Sequence, residues 1–144
     1  MGTIRKILER RAPVTNLLSP KHSVRQAVEM MVHREVGIVG VIEEGKLVGV
    51  FSERDLLRRV VFAGRDLDRT TLREVMTADL VTASPDDLRK DALRRMQERM
   101  CRHLPVLEGD RFLDMISMRD LLKDALADSR IALQEMRKYI QEGR

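Results

Sequence analysis

The segment from Gly37 to Leu57 returns 65 residues later as Arg102 to Leu122. Each version is two apolar runs around a polar turn. Each closes on a Ser-x-x-Asp tetrad at a helix start, Ser52-Glu53-Arg54-Asp55 and Ser117-Met118-Arg119-Asp120. The match extends upstream, pairing Pro20 with Pro85, Ala27 with Ala92, Met31 with Met96 and Val41 with Val106. A duplicated unit restricts the fold. Three short strands and two helices bury too little surface alone. Two such units packed sheet to sheet would share one core with pseudo-twofold symmetry, and that symmetry would place matching clefts between them. The fold class expected is α/β, with duplicated β-α-β-β-α units.

Local patterns fill in the elements. Gly2 to Arg10 reads as a short amphipathic helix ended by Pro13, and Val14 to Leu18 as a strand before the Ser19-Pro20 turn. Ser23-Val24-Arg25-Gln26 is a capping-box pattern opening a helix with Val24, Ala27, Val28, Met31 and Val32 on one face. Glu43-Glu44-Gly45-Lys46 is hairpin-turn chemistry between the runs Gly37–Ile42 and Leu47–Phe51. A helix from Glu53 to Phe62 follows. The second unit repeats the order: a helical turn at Thr71–Met76, a strand Leu80–Ala83, a helix opening at Asp86, strands Leu104–Leu107 and Phe112–Ile116, then a long helix after Ser117. The domain reading is an N-terminal helix over 1–12, repeats over 13–63 and 71–126, a polar linker over 64–70, and a C-terminal amphipathic helix over 127–144. An apolar stripe running into it from the second repeat (Leu122, Ala125, Leu126, then Leu133, Met136 and Ile140, with Tyr139 adjoining) suits either packing on its own subunit or a dimer contact.

Composition narrows the function classes. At 144 residues and 43% hydrophobic, the chain supports a real core, built from Val, Ile, Leu and Met because aromatics are only 3%. The net charge of +4 admits nucleic acid, anionic ligands or mere solubility, but acidic residues are interleaved and no dense basic run occurs, which argues against nucleic acid. The single Cys101 excludes an internal disulfide and a multi-cysteine zinc site. No apolar run is long enough for a bilayer, no secretory core is visible, and Lys6 breaks the myristoylation pattern begun by Met1-Gly2. The expected compartment is the cytoplasm, with no membrane partner.

Ser-x-x-Asp is first of all a helix cap. Its repetition at the end of two apolar hairpins, each with an arginine beside the aspartate, opens a second reading. A first-turn carboxylate can accept from both hydroxyls of a ribose diol, through charge-assisted bonds of about 1.5–3 kcal/mol each. Ser52 and Ser117 can cap and still face a ligand; Arg54 and Arg119 offer cations to a phosphate. Cys101 with His103 offers two metal-ligand types or a thiolate–imidazole pair, but no third ligand or oxyanion hole accompanies them, and a packed thiol is the simpler reading. No catalytic residue is assigned.

This arrangement resembles the CBS domain, and the tandem arrangement resembles a CBS pair, or Bateman module, over nearly the whole chain. Gly49-Val50-Phe51-Ser52-Glu53-Arg54-Asp55 is similar to the family's glycine–apolar–any–Ser/Thr–any–any–Asp motif, and Arg102-His103-Leu104-Pro105-Val106 to the basic Leu-Pro-Val segment of second copies. The closer likeness is to small stand-alone bacterial CBS-pair proteins. The resemblance implies a regulatory module that binds adenosine-containing ligands (AMP, ADP, ATP, NAD or S-adenosylmethionine) without turnover, passes a conformational change to a regulated partner protein, and forms a homodimer. It implies that Asp55 and Asp120 hold ribose hydroxyls, helped by Ser52 and Ser117. Val14-Thr15 and Val81-Thr82 would read adenine; Ile38 with Val50, and Leu104 with Met115, would flank the ring; Arg102 and His103 would approach phosphate. The alternative is a dimerisation module with no nucleotide. Two departures predict unequal sites: Asp114 stands where the first copy has Gly49, and Gly37 where the second has Arg102.

Overall fold

The structure is a computed structural model that describes residues 2–13 and 15–141. The element order is α1 (Ile4–Glu9), β1 (Leu17–Leu18), α2 (Val24–Arg34), β2 (Ile38–Glu43), β3 (Lys46–Ser52), α3 (Glu53–Asp55) running into a π-helical segment (Leu56–Val61), α4 (Leu72–Val75), α5 (Arg89–Arg99), β4 (His103–Glu108), β5 (Arg111–Ser117) and α6 (Met118–Gln141). The predicted Glu53–Phe62 helix is thus mostly wide-wound, with Phe62 N donating to Leu57 O.

The duplication is visible in the backbone. β2 and β3 pair antiparallel with a register shift at Val41/Ile42; β4 and β5 pair likewise with a shift at Val106/Leu107. Glu44 and Gly45 both take positive φ, the geometry that a two-residue hairpin turn requires. The Ser23–Gln26 capping box forms with both reciprocal bonds. α2 and α5 each end on a left-handed residue, Glu35 and Met100.

Three expectations need correction. The first strand shrinks to Leu17–Leu18, parallel to β2, while Val14 lies outside the described residues. The strand expected at Leu80–Ala83 reduces to one parallel bridge, Ala83 with Val106. The helix expected from Asp86 begins at Arg89, because the Asp87 carboxylate instead accepts from the Ser84 amide and from Arg95. Short connecting segments held by side chains do not need a full strand ladder.

The core also departs from a single shared one. Buried apolar residues form two clusters, and each takes a helix from across the linker. Leu72 and Val75 of α4 pack with Val24, Ala27, Val39, Val41, Phe51 and Val60. Ile4 and Ile7 of α1 pack with Ala92, Met96, Leu104, Val106, Ile116 and Leu121. Backbone bonds repeat the exchange: Leu72 N and Arg73 N donate to His22 O and Pro20 O, while Ile4 N and Arg5 N donate to Asp87 O and Pro85 O. The leading helix of each copy therefore docks on the opposite copy, and the sheets meet along β3 and β5.

α6 packs through Leu121 at its start. Every described side chain from Ser129 to Gln141 is exposed, including Ile131, Leu133, Met136 and Ile140. The apolar stripe does not pack on its own subunit. Among the described residues no helix is long and apolar enough to cross a membrane.

Candidate functional site

Where β2 begins, β3 ends and α3 starts, the first tetrad forms a capping box. Asp55 Oδ2 accepts from Ser52 N at 3.0 Å and Ser52 Oγ at 3.2 Å, and Ser52 Oγ accepts from Asp55 N at 3.3 Å. The cap does not exhaust the carboxylate. Oδ1 faces the opposite way, accepts from Thr77 Oγ1 at 2.9 Å and lies 3.7 Å from Arg59 Nε. Asp55 is 7% exposed, so it is sheltered enough for a charge-assisted bond to keep its strength.

Asp55 opens into a cleft of about 370 Å³ between the two copies. Ile38 and Val50 line it from the first hairpin, Leu80 and Val81 from the segment leading into the second copy, and Arg102, His103 and Pro105 from β4 and its approach. Arg54, Arg59, Arg99 and Arg102 set cations around it against Glu53, Asp55 and Asp79. Some of these are already held: Arg54 Nη1 donates to Met100 O at 2.9 Å, and Arg99 Nη2 to Asp79 at 3.2 Å. Burial, with Arg102 beside it, pushes the His103 imidazole below its ordinary value, although Asp120 and Glu53 pull the other way. Burial likewise raises the Cys101 thiol, so Cys101 lines the cleft as a protonated apolar group. Among the described residues no cluster of three His, Cys, Asp or Glu has metal-binding geometry.

The second tetrad forms the same cap and then meets something different. Ser117 N donates to Asp120 Oδ2 at 3.0 Å, and Asp120 N to Ser117 Oγ at 3.1 Å. Beside them lies Arg11, from the segment after α1. Its Nε is 3.4 Å from Asp120 Oδ2, its Nη atoms reach Asp114 at 3.4–3.5 Å, and Nη2 donates to Met115 O at 2.5 Å. Asp114 is buried, and its Oδ1 also accepts from Met115 N at 2.7 Å.

The sequence-derived site residues divide accordingly. Ser52, Arg54, Asp55, Ile38, Val50, Val81, Arg102 and His103 come together at one cleft. Ser117, Asp120 and Met115 gather around Arg11 instead. Arg119 is exposed outside the first cleft, Thr15 is exposed with its carbonyl accepting from Arg34, and the Thr82 carbonyl is taken by Arg95. Leu104 is corrected outright: it is fully buried in the second core cluster. Strand alternation explains the slip, since His103 and Pro105 share the cleft face and Leu104 points the other way. Sequence reading missed Thr77, Arg59, Arg99 and Leu80. Arg59 was findable as the i+4 neighbour of Asp55, whereas Thr77 lies 22 residues on and carried no local signal.

The CBS domain family model matches residues 4–61 and 72–126. The mitochondrial CBS domain-containing protein CBSX3 of Arabidopsis thaliana is 31% identical over 126 residues, which are 84% of this chain and 61% of that protein, so the chain spans about three-fifths of that relative. The structure of a protein with CBS domains from Burkholderia ambifaria is similar at a TM-score of 0.83 and 29% identity, covering 88% of this chain and 96% of that one. The CBS domain pair of protein MJ0100, solved in complex with 5′-methylthioadenosine and S-adenosyl-L-methionine, shares the fold at a TM-score of 0.75 and 19% identity, over 88% of this chain and 98% of that one. The two tetrads, the swapped leading helices and both family matches lead to one statement: this chain belongs to the CBS domain family and carries two copies in tandem.

Proposed function

We propose that this CBS pair is a regulatory module that senses an adenosine-containing nucleotide in the Asp55 cleft, without chemical turnover. The observation that carries the reading is a sheltered carboxylate set between apolar walls and an arginine rim in one inter-copy cleft. Each part has a task. A carboxylate can accept about four hydrogen bonds, so Asp55 keeps capacity for a ribose diol beside its cap, and the Thr77 hydroxyl can rotate to accommodate it. Ile38, Val50, Leu80 and Val81 offer a slot for a purine. Arg102, Arg99 and Arg54 suit the phosphates. The cleft volume falls within the roughly 300–1,000 Å³ range of small-molecule sites. The adenosyl ligands of the MJ0100 pair are in keeping with this class.

Regulation then follows if the nucleotide favours one arrangement of the two copies, since ligands shift conformations only through unequal affinity. Titration calorimetry with AMP, ADP, ATP and NAD tests the reading. Asp55→Ala should weaken binding about 10- to 100-fold, the worth of one or two charge-assisted bonds. Intact binding after Asp55→Ala, with a lowered melting temperature, reduces the residue to a cap.

The homodimer has its own observation. Val32, Leu57, Val61 and Phe62 are exposed on α2, the π-helical segment and its end, and α6 adds Leu122 and Leu126. Such apolar surface suits a second copy. Sedimentation of Phe62→Asp/Leu57→Asp should shift the chain to monomer.

A further inference from the structure

The second cleft differs from the first by a coordinated change in two segments. In the first copy, a side-chain carbon added to Gly49 would lie 2.6 Å from Met76 Sδ and 3.0 Å from Thr77 O. Glycine is needed there because the leading segment runs directly over it. Thr77 pairs its backbone with Val50, N to O at 2.8 Å and the reverse at 3.0 Å. In the second copy Asp114 takes the glycine position and Met115 the Val50 position. The backbone atoms of Met115 are met by side chains instead, its N by Asp114 and its O by Arg11.

Chain length explains how Arg11 reaches this place. The docking bonds of α1 and α4 make Thr3 equivalent to Thr71, and the turns make Ser19 equivalent to Ser84. The first interval is 16 positions and the second 13, so the first copy has three extra residues, two of them in the longer α1. That length carries Arg10 and Arg11 out over β5. Arg11 Nε is buried without a hydrogen-bond partner, although Asp120 is 3.4 Å away. The attraction at that end is charge against charge.

We infer that Arg11 and Asp114 form an internal latch that closes the Asp120 cleft and restricts the chain to a single nucleotide site at Asp55. This rests on the reading of the Asp55 cleft proposed above. The guanidinium takes the carboxylate that a ribose would need, and a ligand entering there must strip Asp114 of its Arg11 contact in a buried setting.

Titration of ATP into the full chain tests the latch. Arg11→Met/Asp114→Gly recreates the Met76–Gly49 pairing and keeps the net charge. The wild-type chain should bind one ATP, weakened about 10- to 100-fold by Asp55→Ala. The double variant should bind two, the second surviving Asp55→Ala and lost with Asp120→Ala. Arg11→Ala alone, its fold checked by circular dichroism, serves if the double variant does not fold, and should show the same Asp120-dependent site about tenfold weaker. Two ATP per wild-type chain, a wild-type site that Asp55→Ala spares, or one ATP in wild type and in every folded variant overturns the latch. An Asp120-dependent site in a variant, with no binding by wild type, overturns the Asp55 reading and keeps the latch. No binding by any of the proteins overturns both.

Discussion

Met76 leans on Gly49 in the first copy; at the equivalent place in the second, Arg11 is bound to Asp114. A further position shows the same divergence. Arg59, on the helix after the first tetrad, donates to the Val75 and Met76 carbonyls at the end of α4. Its equivalent, Asp124, accepts from Arg10 at the end of α1 and from Arg89. Charge sign is reversed, yet both side chains secure the end of a leading helix. The contrast teaches that a duplicated scaffold can keep its mechanical contacts while exchanging their chemistry. The exchange at Gly49 and Asp114 also changes which segment lies beside each tetrad: Met76 and Thr77 in the first copy, Arg11 in the second.

The largest effect expected comes from forcing the second chemistry onto the first copy. Gly49→Asp meets the Met76 side chain and the Thr77 carbonyl without a facing arginine, and should cost about 4 kcal/mol from overpacking plus an unpaired buried charge. Urea unfolding measures it. Asp124→Ala removes a buried carboxylate shared by Arg10 and Arg89, leaving Arg89, which is only 15% exposed, with Asp128 alone, and should cost about 1–2 kcal/mol; Arg59→Ala, half exposed, should cost under about 1 kcal/mol. The same unfolding experiment ranks the two. For binding, Arg54→Ala should weaken ATP about 10-fold in calorimetry, near 1.4 kcal/mol, while its counterpart Arg119→Ala leaves affinity unchanged.

The smallest effect is the acid-side slope from His103, whose counterpart Ile38 does not titrate. The folded imidazole sits below its ordinary 6.5 because burial disfavours its charge. As pH falls through that value the unfolded chain takes up the proton first, so this contribution to stability is intact above about 6.5 and is lost progressively below it. His103→Gln should flatten the slope in unfolding curves recorded across that interval.

The parts legible from sequence were those set by local pattern. Periodicity marked α2 and α5, the Glu44-Gly45 turn marked the first hairpin, and the tetrads marked both caps. Two classes of feature escaped. Leu104 was expected beside the ring, but the cleft face of β4 belongs to His103 and Pro105, and a one-residue offset in a strand reverses the side chain. The Arg11 contact escaped because it joins residues 103 and more positions apart, and no local signal marks such a pair. Asp114 was expected from sequence to make the sites unequal by repelling a ligand phosphate. In the folded chain that charge is paired with an arginine from α1's extension.

The exchange of leading helices has a consequence for how the molecule gains and loses order. A cut anywhere in residues 64–70 leaves one fragment without the α4 that seals its hydrophobic interior, and the other without α1. Neither half is a self-sufficient folding unit, and contacts distant along the chain must assemble before either is stable. Calorimetric melting should therefore record one transition for the whole chain, with the twin lobes surviving or collapsing as partners.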